Sequence, residues 1–152
     1  MCKIINICIF TIFLLLLSYE DLRRKKISCL LLEMLMVFGL LLNIADVFLG
    51  NLSAKELVIN LLAGLTLGLL LVILSIRLKC IGLGDAMICA VITANLGIAN
   101  AIRIILLASV LSCILSIILL LIKKFGRKYR IAYLPFVLMG FLINIPWYIY
   151  VV

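Results

Sequence analysis

The sequence contains no histidine, and it has only six acidic residues against 14 Lys and Arg. Without imidazole, His-based triads and His general bases are excluded, and the commonest metal ligand is missing. Six cysteines (Cys2, Cys8, Cys29, Cys80, Cys89 and Cys113) are scattered, form no CxxC pair and fall mostly in apolar runs. They read as buried small apolar residues rather than a redox or metal centre, so no metal and no cofactor is expected. Polar surface is scarce as well. Hydrophobic residues make up 68% of the 152, and mean hydropathy is +1.47, whereas a soluble domain is about half apolar.

What is present is a succession of long Leu- and Ile-rich runs. A helix needs about 20 apolar residues to cross a bilayer, so the length allows about six crossings. The runs lack the in-out alternation of barrel strands, which predicts an all-α, polytopic membrane protein formed by a single domain over 1–152. Six transmembrane helices are predicted near 3–19, 27–49, 54–76, 85–98, 101–122 and 132–152. The first run has no small-residue cleavage site before Glu20 and Asp21 and reads as a retained helix, not a signal peptide. Ser53 and Glu56 have the spacing of a capping box. The 37 residues from Ala86 to Ile122 would reach about 55 Å as one straight helix, so they must break, and Asn95, Gly97 and Asn100 are the local breakers. Trp147, Tyr148 and Tyr150 mark an interfacial aromatic belt.

The net charge of +8 does not indicate nucleic acid, because the cations lie in short loops between apolar runs. Arg23, Arg24, Lys25, Lys26, Arg77, Lys79, Lys123, Lys124, Arg127, Lys128 and Arg130 fall in the loops after the first, third and fifth helices. Only Lys3, Lys55 and Arg103 fall on the other side. The positive-inside rule puts the larger set in the cytoplasm and both termini outside. Membrane lipids, whose anionic headgroups suit the loop cations, are the implied partners.

The topology sorts the acids. Asp46 and Glu56 flank the outer turn between the second and third helices. Glu20 reads as an exposed interfacial charge. Glu33, inside the second helix, either pairs with a loop cation or reaches substrate through a water-filled cavity. Asp21 closes the first helix, and Asp85 opens the fourth directly after Gly82-Leu83-Gly84. A carboxylate at a helix start has a simple reading as an N-cap. Its functional reading is that an acid at the membrane edge marks a site, with Gly82 and Gly84 letting backbone or substrate approach. Two acids held close share one proton, and such a pair activates a water and polarises a carbonyl with no histidine, metal or nucleophilic Ser or Cys.

Gly82-Leu83-Gly84-Asp85 matches the GxGD motif of intramembrane aspartyl proteases, and the chain more closely resembles the prepilin peptidase family, which includes the archaeal preflagellin peptidases. Asp21-Leu22-Arg23-Arg24-Lys25-Lys26-Ile27 resembles that family's first catalytic segment. The tract from Ile81 to Gly97 looks like its GxGD helix, and Tyr133-Leu134-Pro135-Phe136-Val137-Leu138-Met139-Gly140 resembles its last-helix pattern. Ser28 and Cys29 depart from the usual Pro-Asn, and Met87 from a frequent Lys. The resemblance implies an aspartic endopeptidase of a prokaryotic inner or cytoplasmic membrane, with Asp21 and Asp85 as the catalytic pair. Gly82, Gly84 and Glu33 would be supporting residues. The substrate would be a prepilin-like protein, cut between its basic leader and its hydrophobic helix at the cytoplasmic face. Gly64 and Gly68 form a small-residue face suited to docking that helix. With no CxxC pair, only the peptidase activity of the large bacterial members carries over, not their N-methylation.

Two other classes remain open on residues alone. A small ion- or proton-coupled transporter would use Asp85 or Glu33 and place acids near mid-bilayer. A non-enzymatic membrane assembly subunit would need neither carboxylate.

Overall fold

A computed structural model describes residues 2–24, 28–50, 52–78, 82–121 and 132–150. Among the described residues every regular element is an α-helix and there is no strand: α1 (Cys2–Arg24), α2 (Cys29–Phe48), α3 (Ala54–Leu78), α4 (Leu83–Leu96), α5 (Ile98–Leu121) and α6 (Leu134–Tyr150). Four of them, α1, α2, α3 and α5, contain stretches long and apolar enough to cross a membrane, whereas α4 and α6 are shorter apolar helices. The 14 residues of α4 rise only about 21 Å, less than the roughly 30 Å of a hydrocarbon core. Ile27, Ile81 and Cys80 lie outside the described residues, as do the loop cations Lys25, Lys26, Lys79 and the cluster from Lys123 to Arg130.

Two boundaries differ instructively from the expected ones. The segment from Glu20 to Arg24 is the last turn of α1, not a loop, because Glu, Leu and Arg are good helix formers and nothing there interrupts them. Of the three candidate breakers, Gly97 alone breaks the helix, at φ +82°, a conformation that side chains other than glycine's rarely permit. Asn95 and Asn100 stay helical: the Asn95 amide donates back to its own helix, to the Val91 carbonyl at 2.9 Å, and the Asn100 amide, in the first turn of α5, reaches back across the break to the Leu96 carbonyl that ends α4, at 3.0 Å. Ser53 and Glu56 make one limb of the expected capping box, the Ser53 N–H donating to the Glu56 carboxylate at 3.2 Å.

Helices that follow one another in the chain run in alternate directions. Phe10 meets Phe141 with ring centroids 6.0 Å apart, while Asp21 meets Leu134, so α1 and α6 are antiparallel. Along α5 and α6, Arg103 lies 5.8 Å from the Trp147 ring, Gly140 faces Ile104 and Ala108, and Tyr133 reaches Ser109. The helices α1, α2, α4, α5 and α6 form a ring of contacts, and α3 lies outside it against α4. The core is built from Phe10, Leu14 and Leu17 of α1, Leu35 of α2, Ile88 and Ile92 of α4, Ile104 of α5, and Leu134 and Val137 of α6.

The small-residue face of α3 is consumed inside the protein. A Cβ on Gly64 would come within 2.7 Å of the Ala94 Cβ and 2.8 Å of the Ala90 carbonyl oxygen, and one on Gly68 within 2.6 Å of the Ala90 Cβ. Thus Gly64 and Gly68 serve the α3–α4 contact and are not a docking face for a substrate helix. The cysteine reading also needs correction. Cys89 is buried, but Cys8, Cys29 and Cys113 are exposed on the outer faces of their helices. In an apolar solvent a thiol gains little from burial, so composition does not decide which way it points.

The end of the bundle away from Asp21 is polar. There the Asn43 amide donates to the Asn95 backbone carbonyl at 3.1 Å, and Gly39 leaves room for the Asn95 side chain. Asp46, Glu56, Asn60 and Asn100 line a half-open cavity of about 400 Å³ beside them. Trp147 is exposed at this end, in keeping with an interfacial belt; the side chains of Tyr148 and Tyr150 lie outside the described residues. Replacing Gly64 by Leu should force α3 from α4 and lower stability by about 1–3 kcal/mol, the cost typical of overpacking. Leu65→Ala, on the exposed face of the same turn, should have a smaller effect. Thermal unfolding in detergent micelles measures both.

Candidate active site

Asp21 belongs to the buried stripe of α1. Phe10, Leu14, Leu17 and Asp21 follow one another at steps of four, three and four, which keeps all four on one helical face, and all four are buried. The neighbours Tyr19 and Leu22 point outward, each 61% exposed. Asp21 is only 7% exposed, and its carboxylate accepts a hydrogen bond from the Leu134 backbone N–H at 3.2 Å, across 113 positions of sequence. That N–H is free because it stands in the first turn of α6, where no earlier carbonyl of the helix can receive it. The next residue, Pro135, has no N–H at all, and the Phe136 and Val137 N–H groups go to the Tyr133 carbonyl at 3.0 and 3.3 Å. Asp21 therefore receives the donor that this turn leaves over.

Asp85 sits three residues into α4, whose N-cap is Gly82 at φ −67°, ψ 140°. The Gly82 backbone N–H donates to the Asp85 carboxylate, while the Gly82 carbonyl accepts from the Ala86 N–H at 3.1 Å. This reciprocal arrangement is the backbone half of a capping box, with the acid at the third helical position instead of at the N-cap. Gly82 is needed at that place, because a Cβ there would stand 2.9 Å from the Asp85 Oδ2. Asp85 is half-buried, as is Gly84 at the second position of α4, whereas Gly82 is exposed.

The two acids, 64 positions apart, come within electrostatic reach of one another. Both lie at the end of the bundle where α1 finishes and α4 and α6 begin. Cys89 stands one turn along α4 from Asp85, and Tyr133 at the start of α6 comes within electrostatic reach of Asp85 and Cys89 and approaches Ser109 of α5. Glu33 is exposed on α2 and is not drawn into this group. Glu20 is partly buried, and its Oε2 is enclosed without a hydrogen-bond partner, so it is not the freely exposed charge expected. No group of three or more His, Cys, Asp or Glu among the described residues has the arrangement of a metal site.

The sequence alone did not single out Tyr133, Ser109, Cys89 or the Leu134 N–H as parts of this group. The Leu-Pro pair opening a helix was the one available signal, since it announces a first turn with a single N–H to spare.

Because Leu134 is fully buried, its N–H has no access to water if Asp21 is removed. Asp21→Leu should therefore cost about 1–3 kcal/mol, the penalty for a buried unpaired donor. Asp21→Asn keeps a carbonyl acceptor and should lose less than about 1 kcal/mol. Thermal unfolding of the two purified variants gives the comparison.

No curated protein and no solved structure matches the chain. A family model does, described as the type IV leader peptidase family; it matches residues 8–121, well over half the chain, spanning α1 through α5 with Asp21 and Asp85 both inside the match. The chain is a helical membrane protein that belongs to the type IV leader peptidase family.

Proposed function

We propose that this protein is an aspartic endopeptidase in which Asp21 and Asp85 form the catalytic pair, and that it removes the basic leader of prepilin-like proteins at the cytoplasmic face of a prokaryotic cell membrane. The observation that supports the reading is that the two carboxylates lie at the same end of an apolar bundle, within electrostatic reach of one another, in a chain whose family processes leader peptides. Six helices in alternating directions place the connections after α1, α3 and α5 at the same end as the acids. Those connections, together with the last turns of the helices that lead into them, hold 11 of the 14 cations, which by the positive-inside rule favours the acids beside the cytoplasm and both termini on the far side. The short α4 fits this topology if its start lies at the membrane edge, where water and an extended peptide can enter.

The chemistry follows from one proton shared by two carboxyl groups. The ionised carboxylate takes a proton from a water held between the pair as the water oxygen bonds to the scissile carbonyl carbon. The protonated carboxyl gives its proton to the carbonyl oxygen, forming a neutral tetrahedral diol. Collapse of the diol breaks the C–N bond; a carboxyl proton goes to the departing amine, and the hydroxyl proton returns to the pair. No cofactor enters the step. The Gly82 N–H holds Asp85 and the Leu134 N–H holds Asp21, so both acids are oriented by backbone donors that cannot swing away as side chains do.

In membranes containing a prepilin-like substrate, Asp21→Asn and Asp85→Asn should each lower leader removal by at least about a hundredfold, the usual worth of a general acid or base, at unchanged membrane levels. Appreciable cleavage by either variant would contradict the pair. Gly82→Ala supplies a separate check. The added methyl must push the Asp85 carboxylate aside, so activity should fall about tenfold or more, given the sensitivity of such reactions to displacements near 1 Å. A gel-shift assay of the processed substrate reads all three variants.

A further inference from the structure

We propose that Glu20 is a specificity-determining residue, its carboxylate receiving the leader's Lys or Arg side chain nearest the bond that is cut; this rests on the catalytic reading above. Glu20 directly precedes Asp21, so their Cα atoms are about 3.8 Å apart, and their side chains leave α1 about 100° apart around its axis. Phe13, two turns earlier, shares the face of Glu20 and meets Phe38 of α2 with ring centroids 5.8 Å apart. Because α1 and α2 run in opposite directions, that face carries Glu20 toward the beginning of α2, while Asp21 faces the core.

Glu20 is partly buried there, and its Oε2 is enclosed with no hydrogen-bond partner. A carboxylate oxygen shut away from water without a donor is unfavourable. Arg23 stands three residues on, where a helix commonly pairs opposite charges, yet it is exposed and leaves this oxygen unfilled. The other five acids are placed differently. Asp46 and Glu56 line the cavity at the far end, and Glu33 is exposed on α2. Asp21 takes the Leu134 N–H, and Asp85 stands against Gly82. Glu20 is thus the carboxylate beside the pair that still has an oxygen to fill. The same end of the bundle holds 11 of the 14 cations, so a basic leader is repelled along most approaches. Glu20 offers the opposite charge at the place a leader must pass for its bond to reach Asp21. A turn of the partly exposed side chain presents Oε2 to the arriving cation, which fills it with a charge-assisted hydrogen bond. A leader that is neutral at that position leaves the oxygen unpaired, and selectivity follows from that difference.

The test uses the full chain in lipid nanodiscs with two substrates. One is a prepilin-like protein with its basic leader; the other has the leader cation nearest the cleaved bond replaced by glutamine. Glu20→Gln should raise KM for the basic leader about tenfold to a hundredfold, the effect of one hydrogen bond to a charged group, with the loss in KM rather than kcat. For the neutral leader, wild type and Glu20→Gln should have the same KM, because either change removes the same contact. The unfolding temperature of Glu20→Gln should not fall, since Oε2 has no partner in the free protein. An unaltered KM for the basic leader overturns the proposal, as does an equal rise for both leaders or a fall in unfolding temperature, which would assign Glu20 a structural partner. Asp21→Asn separates the two levels. If it is inactive while Glu20→Gln handles both leaders as wild type does, only the leader contact falls; if it still cleaves, the catalytic reading falls and the leader contact with it.

Discussion

A carboxylate facing the interior of an apolar helix bundle must find a donor or leave. Asp21 finds one in the Leu134 backbone N–H, and this single hydrogen bond joins the end of α1 to the beginning of α6. The remaining geometry of the site depends on it. The α1 stripe of Phe10, Leu14 and Leu17 fixes the azimuth of Asp21, and the start of α6 fixes its position. On the other side of the site Asp85 is gripped by the N–H of its own N-cap. Backbone donors at two helix starts thus hold two acids at one end of the bundle. The arrangement needs no imidazole and no cation, consistent with a chain that has no histidine and carries most of its charge in the loops.

The helix α4 makes this possible by being short and enclosed. It is the most buried helix after its first turn, with Ala86, Ile88, Cys89 and the run from Val91 to Leu96 all inside. Alanine-for-glycine contacts at Ala90 and Ala94 bring α3 almost onto its backbone, and the Asn43–Asn95 hydrogen bond fixes its far end to α2. Gly97 then turns the chain into α5. With both ends and one flank fixed, Gly82 and Asp85 are carried on a rigid element even though they lie at its exposed start. The α5–α6 pair is closed in the same manner by Gly140, where a Cβ would stand 2.8 Å from the Ile104 carbonyl oxygen.

Much of this fold is written in the sequence in the form of length. Five apolar runs, one of them a 37-residue stretch too long for one crossing, and three cation-bearing loops predict six helices and a break, and Gly97 is the residue that breaks. Which faces meet is not written there. In water a helix declares its inner face by hydrophobicity, but in lipid both faces are apolar, so Gly64 and Gly68 could be seen to be a contact surface without showing that α4 was the partner. For the same reason the exposed positions of Cys8, Cys29 and Cys113 were illegible. Asp21 and Asp85 stood out because an acid in such a chain has few structural uses. The Leu134 N–H did not, since a backbone group that pairs with Asp21 across 113 positions is announced by no spacing.

The central claim, that Asp21 and Asp85 face one another, is tested most directly by cross-linking in a variant whose six native cysteines are replaced by serine or alanine. With cysteine at both 21 and 85, a short bifunctional thiol cross-linker applied in native membranes should add a single linker joined at both ends, read as the mass of one linker on the intact protein, while each single-cysteine protein carries a linker with one end unreacted. Phe10→Cys with Phe141→Cys, a pair in ring contact, provides the positive control. Two singly attached linkers on the 21/85 protein, under conditions where the 10/141 control carries one bridging linker, would contradict the account.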